Sequence, residues 1–438
     1  MKLKPYPEYK DSGIQWIGKI PKGWKFNKIK HNVLALEKSG MEASEGNEEG
    51  EYPFFTSSQV QNKFIDKAVF NNECLILGTG GMACIHYVNG KFSASTDCLV
   101  LKKQKNINFK FLYYQILSNI NVIDDLGFWG MGLRHLQKDF FYNMVVYWPI
   151  KEEQQKIVEY LDSKISKINQ TIEKDKKLIA LLKEKRTALI NHAVTKGLPV
   201  RARRTQTGLD QNVKLKDSGI PWIGEIPEKW EVRRLRFNAL VNPSGKKALS
   251  DPKLLVNFLP MEKVSENGEY DTESKAEYQD VSSGYTYFED NDILVAKITP
   301  CFENGKGTLV NNLEYGFGFG TTEFHVIRSY DQLDSKYLFY LTKTHLFRVT
   351  GEAFMEGAAG QKRVSTDFVK NFIMVTPPKQ EQLQIVQYLD KATSKIDKTI
   401  KLIEKKIKLL EEYKKSLIHH TVTGKMDVRR ELKCRNTQ

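Results

Sequence analysis

The chain has 438 residues, enough for two or more domains. Its 67 Lys and Arg against 53 Asp and Glu leave a formal charge of +14, which favours a polyanionic partner, although a solvated basic surface would give the same balance. The five cysteines (Cys74, Cys84, Cys98, Cys301, Cys434) form no CxxC pair and no run approaches about 18 apolar residues, so a zinc ribbon, a disulfide framework and a membrane span are not expected, and a reducing cytoplasm fits.

The start, Met1 to Pro5, lacks an apolar signal core. Lys10 to Trp24 then returns as Lys216 to Trp230, with 11 of 15 positions identical. Only Gln15, Lys19, Lys22 and Gly23 differ, from Pro221, Glu225, Glu228 and Lys229. Turn formers alternate with the large residues Trp16, Ile20 and Trp24. The segment reads as an irregular loop pinned to a surface, leading into a strand from Lys25 to Lys30.

The middles that follow, Lys25 to Trp148 and Glu231 to Thr376, mix short β-rich runs with turns. Cys74 to Leu77 precedes Gly78-Thr79-Gly80-Gly81, and Ile293 to Ala296 precedes Lys297-Ile298-Thr299. Further strands are expected at Cys98 to Leu101 and Phe324 to Ile327, and amphipathic helices at Phe109 to Ile120 and Lys336 to Arg348.

A second repeat ends each half. Pro149, Glu153, Gln154 and Ile157 to Asp162 reappear 228 positions later as Pro377, Glu381, Gln382 and Ile385 to Asp390. Proline suits a helix start because its missing N–H has no partner there. Apolar residues then step by fours and threes: Leu161, Ile165, Ile168, Ile172, Ile179, Leu182 and Leu189, and Leu389, Ile396, Ile400, Ile403, Ile407, Leu410 and Leu417. Lysine and glutamate fill the other positions, the pattern of a coiled coil. Each run makes a rod of roughly 65 Å. Asp175 interrupts the first seam, and Lys185 and Arg186 are exposed or bridging.

The two heads repeat at an offset of 206 and the rods at 228, so the scaffold is duplicated while the middles have drifted. The expected division is a first variable domain (1–148), a first helix (149–197), a polar linker with Arg201, Arg203 and Arg204 (198–213), a second variable domain (214–376), a second helix (377–424) and a tail (425–438).

No catalytic constellation stands out. There is no P-loop, and Gly78 to Gly81 lacks a following helix and dinucleotide-binding spacing; it suits a tight turn or a close approach to a phosphate backbone. Asn242-Pro243-Ser244 lacks the second proline of a methyltransferase motif and reads as a turn. Glu262-Lys263 is too short for a nuclease site, and His192, His419 and His420 suit cations at helix C-termini. What remains suits binding. In the first middle the candidates are Ser57, Ser58, Gln59, Lys63, Thr79, His86, Arg134 and His135, with Gln61, Asn62 and Trp129 nearby. In the second they are Lys297, Thr299, Asn304, Lys306, Gln361, Lys362 and Arg363. Arg and Lys pair with guanine, Asn and Gln with adenine, and hydroxyls with phosphates. Each alone is also an ordinary surface-loop residue.

Head, variable domain, rod, then the same again, resembles the specificity subunit of type I restriction-modification systems over essentially the whole chain. The resemblance rests on Tyr9 to Gly13, Trp16-Ile17-Gly18, Ile20-Pro21 and Trp24 with their second copy, and on Glu153-Gln154 and Glu381-Gln382 before Tyr160-Leu161-Asp162 and Tyr388-Leu389-Asp390. Trp148-Pro149-Ile150 departs from the double proline more usual in the family, which Pro377-Pro378 keeps.

The resemblance implies an α+β chain of two mixed α/β target-recognition domains separated by two long antiparallel coiled-coil helices, with a pseudo-two-fold internal repeat. It implies that each domain reads half of a split target in double-stranded DNA. The subunit would have no catalysis and no cofactor of its own. Two methyltransferase subunits would bring S-adenosylmethionine for adenine methylation, and restriction-translocase subunits would join them, in the cytoplasm and away from membranes. Gly132 to Leu136 and Gly360 to Val364 resemble the family's late recognition-domain motif. On the rods, Tyr160, Leu161, Ile168 and Ile172, and Tyr388, Leu389, Ile396 and Ile400, carry the partner-docking expectation. If rod length sets half-site spacing, deleting seven residues from both rods shortens the unread gap; an unchanged gap would sink that idea. A free-standing nuclease or methyltransferase and a protein-binding coiled-coil adaptor are the competing readings.

Overall fold

In a computed structural model, the structure describes residues 5–199 and 214–429 apart from positions 222, 246 and 359. The expected basic linker, with Arg201, Arg203 and Arg204, and Cys434 in the tail lie outside the described residues. The chain forms two compact units, Met1–Lys176 with Glu404–Gln438, and Lys177–Ile403. The division therefore runs through the long helices, Lys151–Lys196 and Lys379–Val422, and not at their ends.

In the first unit the head is a small hairpin and not an irregular loop: Tyr9–Asp11 pairs antiparallel with Lys19–Pro21. Its turn follows from the sequence Asp-Ser-Gly. The Asp11 carboxylate accepts from Gly13 N at 2.8 Å, the Ser12 hydroxyl accepts from Ile14 N at 3.1 Å, and Gly13 sits at φ 75°. Ile20 and Trp24 are buried as expected of anchors, whereas Trp16 is 47% exposed. The expected strand is Lys25–Lys28, ending in a 3-10 turn at Ile29–His31. It pairs antiparallel with Val145–Trp148, the strand that leads into the first long helix.

The six-stranded sheet of this unit has the order Val33–Ala35, Cys98–Lys103, Phe70–Gly78, Ile85–Ala94, Tyr52–Phe55, Lys63–Ile65. Cys74 to Leu77 is uniformly apolar because both faces are covered. Leu75 and Leu77 join the core shared with the helices, and Cys74 and Ile76 join a second cluster with Phe55, Phe70 and Phe92. The helix expected from Phe109 to Ile120 stops at Ser118, and a second helix, Ile120–Gly127, follows.

Within this unit the two long helices run antiparallel. Lys414 meets Asn169 at 3.1 Å and Lys406 meets Asp175 at 2.9 Å, so one helix recedes as the other advances. The Asp175 carboxylate that interrupts the seam is thus buried against a lysine. His419 is not a terminal cation. Burial, Lys425 and His420 push its pKa down to about 4, and its ring bridges Ser118 Oγ and Lys425 Nζ, both at 3.1 Å.

In the second unit Leu215–Asp217 and Glu225–Pro227 repeat the head hairpin, with the same Asp217 and Ser218 turn bonds. Glu231–Arg234 pairs with Ile373–Thr376 ahead of the second long helix. The single sheet is replaced by two four-stranded sheets. One has the order Ala239–Val241, Phe324–Ser329, Ile293–Ala296, Gly307–Leu309; the other has Lys275–Glu277, Leu255–Leu259, Phe317–Gly320, Thr286–Glu289. The helix expected from Lys336 to Arg348 is also two, Ser335–Thr342 and His345–Ala353. The break falls where the Thr344 hydroxyl accepts from Phe347 N and restarts the helix. Arg186 of one long helix meets Asp397 of the other at 2.9 Å.

Candidate nucleic-acid interface

Each unit ties its head to its rod in the same way. The Trp24 indole donates to Glu153 at 3.3 Å, and the Trp230 indole to Glu381 at 2.9 Å. The next residue fastens the loop before the first short helix of each unit, Phe109–Ser118 or Ser335–Thr342: Asn108 N donates to the Gln154 amide oxygen at 3.0 Å, and Asp334 N to that of Gln382 at 2.7 Å. About two turns later an aspartate holds the helix itself. Asp162 accepts from Lys110 and Tyr114, and Asp390 from Lys336 and Tyr340. These contacts mount the sheets on the rods.

On that mount, the first unit gathers most of its candidates at one rim. The Asp97 carbonyl accepts from Thr79 N and Thr79 Oγ1 at 2.8 Å and from Ser57 Oγ at 2.7 Å. A hairpin, Phe128–Trp129 with His135–Leu136, closes on the same loop. Gly81 N donates to the Arg134 carbonyl, and Leu136 N to the Thr79 carbonyl, both at 2.9 Å. The amides of Thr79 and Gly81 are therefore engaged within the rim. His86 Nε2 donates to the Ser58 carbonyl at 2.8 Å, and burial pushes the imidazole pKa down against that bond, so His86 is a neutral support. Arg134 Nη2 donates to both carboxylate oxygens of Asp124, at 2.9 and 3.1 Å, and Nη1 to the Asp124 carbonyl at 3.2 Å. Lys63 is engaged elsewhere, donating to the Ala43 carbonyl at 2.7 Å. Gln59 and His135 are exposed, with no side-chain partner among the described residues.

The second unit repeats the plan with different groups. The hairpin Met355–Glu356 with Arg363–Val364 closes on the loop after Ile293–Ala296, with Thr299 N donating to the Lys362 carbonyl at 3.0 Å and Val364 N to that of Lys297 at 2.9 Å. Lys362 N returns a bond to the Thr299 hydroxyl at 3.2 Å. Lys297 Nζ donates to the Thr322 carbonyl at 2.9 Å, and burial lowers its pKa. Lys306 Nζ donates to the Met261 carbonyl at 3.4 Å, and Arg363 pairs with Glu323 at 2.8 Å. Behind them His325 Nε2 donates to the Val364 carbonyl at 2.9 Å; burial pushes this imidazole down to about 4. Asn304, Gln361 and Lys362 are exposed, and their side chains have no partner among the described residues.

The rod residues expected to dock a partner do not present a free face. Tyr160, Leu161, Ile168, Ile172, Leu389, Ile396 and Ile400 are buried within their own units, and Tyr388 is half-buried against the second core.

The mounting residues Lys110, Tyr114, Lys336 and Tyr340 escaped the sequence reading. Their signal was there: Lys110 to Lys336 and Tyr114 to Tyr340 share an offset of 226. Asp124, Glu323 and Lys343 carry no such signal, because their partners lie on other loops.

A family model described as the type I restriction modification DNA specificity domain matches residues 21–181 and 227–412. The chain is 42% identical over 165 residues to the type I restriction enzyme EcoAI specificity subunit of Escherichia coli, covering 37% of this chain and 28% of that one. It is 41% identical over 170 residues to the Escherichia coli EcoEI specificity subunit, covering 38% and 28%. The chain thus spans little more than a quarter of the length of these two relatives. A longer alignment, 23% identical over 380 residues, covers 85% of this chain and 82% of the Escherichia coli EcoDI specificity subunit. In fold the chain is similar to one from a type I R-M system solved for its complex assembly and conformational transition. There the TM-score is 0.62 over 92% of this chain and 98% of the other, at 12% identity.

Proposed function

Because the chain belongs to the type I restriction-modification DNA specificity family, we propose that it is the DNA-reading subunit of such a system, non-catalytic itself, with each unit reading one half of a split target. The observation that carries this reading is the pairing of a repeated mount with divergent rims. Trp–Glu, backbone–Gln and Lys–Tyr–Asp contacts recur in both units, while the rims expose Gln59 and His135 in one and Asn304, Gln361 and Lys362 in the other. Amide, imidazole and ammonium groups without internal partners are the chemistry that reads base edges and phosphates.

A repeated mount also suits a repeated partner. Two methyltransferase subunits would each meet an equivalent surface, and restriction-translocase subunits would join the assembly. No helix of the described residues is long and apolar enough to cross a membrane. The test is an adenine-methylation map of host DNA with and without the gene, its methyltransferase partner present. Loss of one split motif supports the reading. An unchanged map, with no salt-dependent DNA binding by the purified chain, favours the adaptor reading.

A further inference from the structure

Two charged side chains hold the reading loops from behind, and they have opposite sign. In the first unit Asp124, on the helix Ile120–Gly127, accepts from Ala83 N at 2.6 Å, where the Thr79 loop ends. The same carboxylate takes both bonds from Arg134 on the closing hairpin. Burial would raise its pKa, but the Ala83 amide and Arg134 outweigh burial and hold it below the usual carboxylate value. One acid thus fixes the loop and the hairpin to each other.

In the second unit a different position does the holding: Lys343, directly after the helix Ser335–Thr342. Its side chain is buried, and its ammonium donates to the carbonyls of Glu266 at 3.0 Å, Gly305 at 2.6 Å and Gly307 at 2.8 Å. All three donors of the ammonium are engaged, and none goes to a carboxylate. Burial pushes the group down to about 7, with Arg186 and Arg348 adding to the effect against Glu266. A buried cation without a paired acid is costly, so packing alone does not explain a lysine here. What it secures is the loop from Thr299 to Gly307, which carries Asn304. Phe302 anchors the same loop in the core, and Arg348 Nη1 donates to the Glu303 carbonyl at 3.4 Å.

We propose that Asp124 and Lys343 are positioning residues for DNA reading, each shaping the recognition loop of one unit without touching DNA. This rests on the reading of the two units as half-site readers. Loop shape decides whether the amide of Asn304 or the imidazole of His135 meets a base edge, and a misplacement of about 1 Å breaks a hydrogen bond. The two tethers act on different loops, so their effects should separate.

The experiment is selection from a pool of random duplex DNA by the full-length chain, comparing wild type with Asp124→Asn and Lys343→Met. All are held at a temperature where circular dichroism shows each variant folded. The expected result is two half-sites for wild type, with discrimination falling about tenfold or more in one half only for Asp124→Asn and in the opposite half only for Lys343→Met. Retention of both half-sites by both variants overturns the proposal, as does relaxation of the same half, or equal weakening of both halves in step with a fall in Tm. A wild-type chain that selects no sequence while remaining folded overturns the half-site reading itself, and the proposal with it.

Discussion

The Trp24 indole and the Tyr6 hydroxyl converge on one carboxylate oxygen of Glu153, at 3.3 and 2.6 Å, and all three side chains are buried. Burial, reinforced by Glu153, drives the Tyr6 hydroxyl far above its usual pKa, so it stays a donor. Glu153→Ala would leave two buried donors without an acceptor, each at about 1–3 kcal/mol. Glu381→Ala strands the Trp230 indole, the one donor bonded to it among the described residues. The larger loss of stability in urea denaturation is therefore expected for Glu153→Ala, and equal losses would contradict the structure.

Free and engaged rim residues should behave differently. His135→Ala and Asn304→Ala remove exposed side chains without partners, so stability should stay within about 0.5 kcal/mol while DNA selectivity changes. Arg134→Ala removes the ion pair with Asp124 and should lower stability by roughly 1 kcal/mol. Thermal melts beside duplex selection check both halves of this statement.

Salt dependence separates two lysines at the second rim. Lys362 has an unengaged ammonium, and Lys362→Ala should reduce the slope of log affinity against log salt by about 1. The Lys297 ammonium is held by the Thr322 carbonyl, so Lys297→Ala should leave that slope unchanged. A slope that responds to Lys297 and not to Lys362 would reverse the assignment.

Arg186 and Asp397 are 13% and 22% exposed, whereas Lys176 and Glu173 are 57% and 64% exposed. Double-mutant cycles should give the first pair a coupling of about 1 kcal/mol or more and the second about 0.5 kcal/mol or less, because solvent screens the exposed pair.

Acid should loosen the second unit. The folded pKa of His325 is about 4, against about 6.5 for an unfolded histidine. Between those values the unfolded chain binds the extra proton, so stability falls as pH drops from about 6.5 to 4. The effect is on the order of 3 kcal/mol at most. His325→Gln, whose amide can still donate to Val364, should flatten the dependence measured by denaturation at pH 7 and pH 4.5.

The double scaffold was legible because its signals are local. Helix periodicity, the Asp-Ser-Gly turns and the opening Glu-Gln need only neighbours along the chain, and both copies formed the same elements. Legibility ended where a helix had to restart at Thr344, and where Trp16 proved exposed although its repeat suggested an anchor.

The sequence by itself determined the repeats, the two long helices and the clustering of polar residues in two variable middles. Only the tertiary structure decided which of those polar residues are available. Arg134 meets Asp124 across a loop, Arg363 meets Glu323 from 40 positions away, and Lys343 reaches carbonyls on two separate segments. Such pairings depend on strand order and loop closure, which bring distant positions together by packing; nothing in the residues adjacent to each group encodes its partner.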